Sequence, residues 1–153
     1  KWGEQKRVFS MIPGLENAEF VRYGVMHRNT FLNSPRLLDD TYADRREPLI
    51  AFAGQMTGVE GYVESCASGY LAAVSMAARL NGAPVPDFTN RTAIGALGKY
   101  ISDPSVTAFQ PMNVNFGIIA PLEQRVKGKS NKNLAIAERA LAQLETMRNE
   151  GLA

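Results

Sequence analysis

Hydrophobic and polar positions follow one another in blocks along the chain, and the clearest block lies near the middle. The apolar run 49–53 is long enough for a buried β-strand and too short for a helix. Three glycines, Gly54, Gly58 and Gly61, interrupt the segment behind it. Glycine permits backbone conformations that other residues avoid, so the pattern predicts a strand followed by a tight turn.

A long amphipathic helix is predicted to follow this turn, from about residue 62 to residue 79. Apolar residues recur there every three or four positions, which is the period of one helix face. The face predicted to be buried consists of Val63, Ala67, Tyr70, Leu71, Val74, Ala77 and Ala78. Asn81-Gly82 followed by Pro84 is typical of a helix end.

Two further helices are predicted in the second half of the chain, one ending near Ile101 and one over about 131–148. The predicted N-caps are Thr89 or Asn90 for the first, and Ser130 or Asn131 for the second, which Gly151 would stop. The last helix has one apolar line through Leu134, Ala137, Leu141 and Leu144, and a second through Ile136, Ala140 and Met147.

Short strands are predicted before the central turn. Residues 8–12 fit a short strand or a first helical turn, and residues 20–32 mix β-branched and aromatic residues in a way that fits one or two strands. Residues 37–42 fit a hairpin-like return towards the central strand. Residues 106–122 show neither a helix period nor a strand period.

The composition is typical of one globular domain or part of one. The chain has 153 residues, of which 45% are hydrophobic and 21% charged. It has no run of about 18 apolar residues, so we expect no membrane-spanning helix. Cys66 is the only cysteine, which excludes an internal disulfide and fits a reducing cytoplasm. One histidine and one cysteine make no metal-ligand cluster, so we expect no metal.

The predicted turn is a candidate ligand site because the first amides of a helix have no partner within the helix. The helix dipole adds partial positive charge at the same point, and glycines let a ligand approach the backbone closely. A tight strand-to-helix corner without any ligand explains the glycines equally well. Their spacing differs from the G-x-G-x-x-G of dinucleotide-binding proteins, so spacing alone identifies no ligand.

Three longer strings carry a family resemblance: RYGVMHRNTFLNSP at 22–35, AFAGQMTGVEGYVES at 51–65 and FQPMNVNFGIIAPL at 109–122. They resemble signature segments of the folate- and FAD-dependent tRNA (uracil-5-)-methyltransferases, which are bacterial flavoproteins related to the GidA family. The likeness extends from Trp2 to about Ala142.

The resemblance implies an α/β fold: the C-terminal part of a Rossmann-like FAD-binding domain, with a few short strands and three main helices. Residues 1–82 would be the C-terminal segment of that domain and contain the strand, turn and helix. Residues 83–153 would be a helical extension packed on it, so that both form one structural unit.

The resemblance also implies the activity of the full-length protein, which would methylate C5 of a uridine in tRNA. Methylenetetrahydrofolate would donate the one-carbon unit, FAD would be carrier and reductant, and NADH or NADPH would re-reduce the flavin. The chain would be a C-terminal third that depends on a missing N-terminal part and is inactive alone. Two alternatives stay open: a GidA-type flavoprotein that modifies the wobble uridine, and a non-catalytic tRNA-binding or assembly module.

Site residues follow from the same resemblance. The turn is expected to contact the flavin through Gly54, Gln55, Met56, Thr57, Gly58, Val59 and Glu60. Folate is expected at His27, whose imidazole would stack on the pterin ring, and at Arg28 and Asn29. No catalytic residue is expected in this chain, because the family's cysteines lie upstream of it. Cys66 is interpreted as a small packed residue.

Other polar groups have simpler alternatives. Glu64 is interpreted as an acidic group that favours the helix dipole, and for Glu60 this role and a ligand contact are both open. Residues 109–117 are expected to form an ordered loop near the active cleft. The net charge of +2 does not indicate nucleic acid. Most basic runs are simply solvated, but a tRNA substrate suggests phosphate contacts for Arg125, Lys127, Lys129 and Lys132.

Overall fold

The fold is seen in a computed structural model that describes residues 2–24 and 30–151. This part of the chain is mainly helical and contains α1 (Trp2–Phe9), α2 (Ser34–Leu37), α3 (Tyr62–Leu80), α4 (Ala93–Ser102) and α5 (Lys129–Asn149). A 3-10 turn, Gly54–Thr57, lies between α2 and α3. Within the described ranges, no helix combines the length and apolarity that crossing a bilayer requires.

The strand predicted at 49–53 is wrong. In the described residues, β-structure is limited to three isolated bridges, and this run contributes only the antiparallel pair of Ala51 with Ala43. The partner segment leaves the extended conformation immediately, because Tyr42 has φ +66° in the left-handed region. The start of the run is also exposed, with Leu49 at 65%.

The other predicted strands have similar outcomes. Residues 8–12 finish α1 and enter a turn, and the described parts of 20–32 contain no strand. The hairpin-like return after residue 37 is present as the antiparallel bridge between Leu38 and Asp44. It stays one pair long for the same reason, since Tyr42 bends the segment.

The bounds predicted for α3 are confirmed, but its predicted apolar face is only in part the buried one, since Leu71 belongs to both. The helix runs from Tyr62 to Leu80, and Asn81 is its C-cap. It buries Ser68, Leu71, Ala72 and Ser75. Val63 and Tyr70, predicted to be buried, are 80% and 49% exposed. The buried face thus includes two serines, which a search for apolar residues alone does not find.

The other two long helices begin at different caps from those predicted. Thr92 caps α4, and its Oγ1 accepts a hydrogen bond from the Gly95 amide at 3.1 Å. Gly128, with φ +87°, is the N-cap of α5. The predicted caps were Thr89 or Asn90 for α4 and Ser130 or Asn131 for α5; Ser130 and Asn131 lie inside the first turn of α5.

Of the two apolar lines predicted on α5, the structure buries members of the second. Ile136 and Met147, from the second apolar line, are 1% and 3% exposed. Leu134 and Leu141, from the first line, are 58% and 67% exposed. The helix does end where predicted, since Gly151 follows it with φ +69°.

The main hydrophobic core joins both halves of the chain. Its buried members are Leu38, Tyr42, Val59, Leu71, Ala72, Phe88, Leu97, Ile101, Phe109 and Met147. Polar contacts support the same packing around α4: Arg45 Nη2 donates to the Ser102 carbonyl at 2.7 Å, and Lys99 Nζ lies 2.8 Å from Asp40 Oδ2. The hydrogen bond to Asp40 raises the pKa of Lys99.

Candidate functional site

The 3-10 turn Gly54–Thr57 is the point at which the three strings of the family resemblance meet. From the first string, the Leu32 amide donates to the Met56 carbonyl at 2.8 Å, and Ser34 Oγ donates to the Thr57 carbonyl at 2.8 Å. The first string therefore lies directly against the turn.

The third string reaches the turn from the other end. Val59 and Met112 form a parallel bridge. The Glu60 amide donates to the Met112 carbonyl at 3.0 Å, and the Met112 amide donates to the Gly58 carbonyl at 3.1 Å. Residues 109–117 thus begin beside the turn, which fits the ordered loop expected there.

A phenylalanine ring fixes the end of the turn. Gly58 has φ +86°, and a Cβ on it would lie 2.6 Å from Phe109 Cε1. Phe109 is 8% exposed and meets Phe31 edge-on, with 6.0 Å between ring centroids. Glycine is required at position 58 by both the backbone conformation and the ring above it.

All five carbonyl groups from residue 54 to residue 58 accept hydrogen bonds from inside the protein. The donors are, in chain order, Thr57 Oγ1 at 2.7 Å, the Gly58 amide at 3.0 Å, the Leu32 amide at 2.8 Å, Ser34 Oγ at 2.8 Å and the Met112 amide at 3.1 Å. The acceptors of the turn therefore face inwards, so any backbone polarity that the turn offers outwards comes from N–H groups.

Ala53 is the N-cap of the 3-10 turn. The amides of Gly54 and Gln55 therefore lie too early in the turn to donate to a carbonyl within it. The Gly54 amide donates to Ser68 Oγ at 2.8 Å. Gln55 is exposed. Its amide is thus the donor that the outer edge of the turn can present to a ligand.

The structure divides the seven residues predicted to contact the flavin into groups by burial. Gln55 and Met56 are exposed, and Met56 has 46% of its surface accessible. Gly54 and Glu60 are half-buried. The buried members are Thr57, Gly58 and Val59. These three build the turn from inside, so a ligand at this edge would meet mainly Gly54, Gln55 and Met56.

The start of α3 supports the structural interpretation of Glu64. Gly61 is the N-cap, with φ +98°, and no side chain caps the helix by a hydrogen bond. A Cβ on Gly61 would lie 2.7 Å from the Glu64 carboxyl carbon and 2.8 Å from Asn113 Nδ2. The carboxylate therefore folds back over the helix N-terminus, where the dipole favours negative charge.

Cys66 is exposed on α3, so its interpretation as a packed residue is wrong. The helix turns Ser68, Leu71 and Ser75 inwards and leaves position 66 outside.

In residues 2–24 and 30–151, no group of three or more His, Cys, Asp or Glu side chains is arranged to hold a metal ion.

Comparison with known proteins decides the family. The family model described as "Glucose inhibited division protein A" matches residues 1–84, which is more than half of the chain. The chain belongs to this family. The GidA relationship implied by the three strings is thereby confirmed.

Closer relatives of this GidA-family chain carry one name, methylenetetrahydrofolate–tRNA-(uracil-5-)-methyltransferase TrmFO. The chain is 61% identical to the protein of Streptococcus agalactiae over 150 residues, 57% to that of Lactiplantibacillus plantarum over 152, and 54% to that of Desulfitobacterium hafniense over 153. The matches cover 97–99% of the chain and 34–35% of the relatives. The chain thus spans about a third of the length of these curated relatives.

Two further sites were predicted in this GidA-family chain, for folate and for tRNA. His27, Arg28 and Asn29, predicted to contact folate, lie outside the described residues. The basic residues predicted to contact tRNA are all exposed: Arg125, Lys127, Lys129 and Lys132. They take part in none of the ion pairs found in the described part of the chain.

Residues that the sequence did not identify hold the GidA-family turn in place. Ser34 and Ser68 are 0% and 1% exposed, and each bonds to the backbone of the turn. Phe109 packs on Gly58. No spacing rule reveals them, because each partner lies at least 14 residues away along the chain.

Proposed function

We propose that this chain is the flavin-contacting third of a folate- and FAD-dependent tRNA (uracil-5-)-methyltransferase. The full-length enzyme would transfer a one-carbon unit from methylenetetrahydrofolate to C5 of a uridine in tRNA, in the cytoplasm. Residues 1–82 would complete a Rossmann-like FAD-binding domain, and residues 83–153 would pack on it as a helical extension. The names of the relatives and the chemistry of the turn support this function.

The observation that carries the proposal is the polarity of the turn. The carbonyls of residues 54–58 are used internally. The Gly54 amide donates to Ser68 Oγ, so the Gln55 amide is the donor that the turn can offer to a ligand. A bound FAD would supply electron transfer and accumulate negative charge on its ring when reduced. Amide donors fixed beforehand stabilise such charge without reorganisation. Gly54, Gln55 and Met56 would hold the ring, while Gly58 and Val59 support them from inside.

Folate binding is assigned to His27, Arg28 and Asn29. The imidazole is suited to stacking on a pterin ring, and arginine pairs with a carboxylate through two parallel hydrogen bonds. Asn29 is three residues from Leu32, whose amide is bonded to the turn. This connection supports a folate site next to the flavin site.

The proposal is tested on the full-length protein that contains this chain. Purified protein should be yellow, contain FAD and form 5-methyluridine in unmodified tRNA when methylenetetrahydrofolate and NADH or NADPH are supplied. Mass spectrometry of the digested tRNA locates the modified uridine. A colourless protein that leaves C5 unmethylated would overturn the proposal, and a modified wobble uridine would favour the GidA-type alternative.

The 153-residue chain alone provides a control. It lacks a G-x-G-x-x-G segment, which normally grips the pyrophosphate of FAD. We therefore expect it to bind FAD weakly or not at all and to have no methyltransferase activity.

A further inference from the structure

We infer that Ser68 is a positioning residue for the turn, and that its hydroxyl holds Gly54 so that the Gln55 amide keeps its direction. The inference rests on the proposed function, because it assigns Ser68 an effect on the flavin. Ser68 itself lies behind the turn on α3, is 1% exposed and would not touch the ligand.

The hydroxyl of Ser68 has a fixed direction. It donates its hydrogen to the Ser65 carbonyl at 2.7 Å, within α3. Because the hydrogen is used there, the oxygen can act only as an acceptor towards the turn. The Gly54 amide donates to it at 2.8 Å. One side-chain oxygen therefore connects the first residue of the turn to the helix behind it.

The residue held in this way is the one that sets the geometry of the turn. Gly54 has φ +72° and follows Ala53, which is extended with φ −149°. Its carbonyl accepts from Thr57 Oγ1 at 2.7 Å. Because its amide and its carbonyl are both bonded, the two peptide planes that flank Gly54 have little freedom to rotate. The Gln55 amide lies in the second of these planes and therefore keeps its direction.

Removal of the hydroxyl would leave the Gly54 amide without its acceptor. A buried or half-buried N–H group seeks another partner, and water becomes available only if the start of the turn moves outwards. Such a movement rotates the Gln55 amide away from the ligand. The expected consequence is weaker flavin binding and less stabilisation of the reduced, negatively charged ring.

Ser75 provides a matched control on the same helix. It lies two turns after Ser68 on the same buried face and is 0% exposed. Its hydroxyl has no hydrogen-bond partner within the described residues. Ser68→Ala and Ser75→Ala therefore remove the same atom from the same kind of environment, and only the first removes a bond to the turn.

The experiment compares the full-length wild-type protein with its Ser68→Ala, Ser68→Cys and Ser75→Ala variants. Ser68→Ala should weaken FAD binding by about tenfold, the upper range for one lost hydrogen bond. It should also lower the midpoint potential of the bound flavin. Ser68→Cys fills a similar volume with a weak acceptor, so it should shift both quantities in the same direction while the helix stays packed. Ser75→Ala should leave both at wild-type values.

A purely structural role for Ser68 would lower the melting temperature but would not change the potential of flavin that is still bound. Wild-type affinity and potential in Ser68→Ala, or equal effects of Ser68→Ala and Ser75→Ala, would overturn the inference. Failure of the proposed function is distinguishable, because the wild-type full-length protein would then bind no FAD at all.

Discussion

At the scale of single residues, Tyr42 shows how the fold tolerates an unpaired polar group. Its side chain is completely buried in the main core, and its hydroxyl has no hydrogen-bond partner among the described residues. Burial raises the pKa of the phenol, because the phenolate would lose its hydration. An unpaired buried hydroxyl costs about 1–3 kcal/mol of stability.

Tyr42→Phe should therefore stabilise the protein by about 1 kcal/mol, because it removes the unpaired hydroxyl and keeps the ring. Urea unfolding measures the free energy of unfolding. Tyr100→Phe is the matched control: Tyr100 Oη donates to the Gln110 carbonyl at 3.0 Å, so its removal should destabilise. Stabilisation by both variants, or by neither, would contradict the assignment of the orphan hydroxyl.

The raised pKa also predicts a pH dependence. Above about pH 10 the unfolded chain releases the Tyr42 proton, while the folded chain keeps it. The folded state then binds more protons than the unfolded chain. The free energy of unfolding is therefore independent of this proton below about pH 10 and decreases as the pH rises above that value. The decline should be shallower in Tyr42→Phe.

Predictions for single residues succeeded where the residue determines its own backbone conformation. They failed where its side chain bonds to residues far away in the sequence. The end of α3 at Asn81 and the stop at Gly151 follow from local conformation. The roles of Ser34 and Ser68 depend on backbone groups that only the folded chain brings near. A buried serine with remote partners has no sequence pattern.

At the scale of elements, helix positions were predictable and helix orientations were not. The periodicity of the apolar residues located the ends of α3 and α5 to within two residues, because helix propensity and end signals depend on neighbouring residues only. The buried face is chosen by packing, and two apolar lines compete on α5. The predicted strands failed because a strand needs a partner, and the only bridge partner found for residue 51 in the described chain bends away at Tyr42.

The packing of Phe109 on the turn gives a test at this scale. Gly58→Ala should cost about 2–4 kcal/mol, because the left-handed backbone is strained and the new methyl group would overlap the Phe109 ring. Gly82→Ala is the matched control: it has φ +64° with nothing within 4 Å of the new Cβ. It should cost about 1 kcal/mol. Thermal and urea unfolding measure both.

Equal losses in the two alanine variants would mean that only backbone conformation matters at position 58. The packing of Phe109 on the turn would then have no energetic weight. A Gly58→Ala, Phe109→Ala double variant separates the two effects, since the smaller side chain should recover part of the overlap cost.

At the scale of the whole molecule, three separated strings meet around one turn. The sequence identified the family because those strings are long and specific, and the family match confirms it. Their mutual contacts were not predictable, because they depend on how residues 32, 58 and 112 approach each other in space. Folate and tRNA binding stay predictions.

Four exposed cations before and within the start of α5 provide the test for tRNA binding. Replacement of Arg125, Lys127, Lys129 and Lys132 by alanine should weaken tRNA binding by the full-length protein. The slope of log K against log salt should become shallower by about one unit for each phosphate that the protein no longer neutralises. A filter-binding titration at several salt concentrations measures both.

The control for that titration removes the same charge elsewhere. Lys6, Arg22, Arg36 and Arg46 are also exposed. Their replacement by alanine should leave the slope near its wild-type value. If both quadruple variants change the slope equally, net charge explains the binding and α5 has no special role.

The pairing of Glu60 with Met112 also affects the kinetics of folding. It closes a loop of about 50 residues that contains α3 and α4, and closing a loop of this length costs more conformational entropy than forming a helix from local contacts. We therefore expect both helices to form early and the turn to reach its native shape late, when the segment after Phe109 returns. In refolding experiments, the region that would receive the flavin should become protected from hydrogen exchange last.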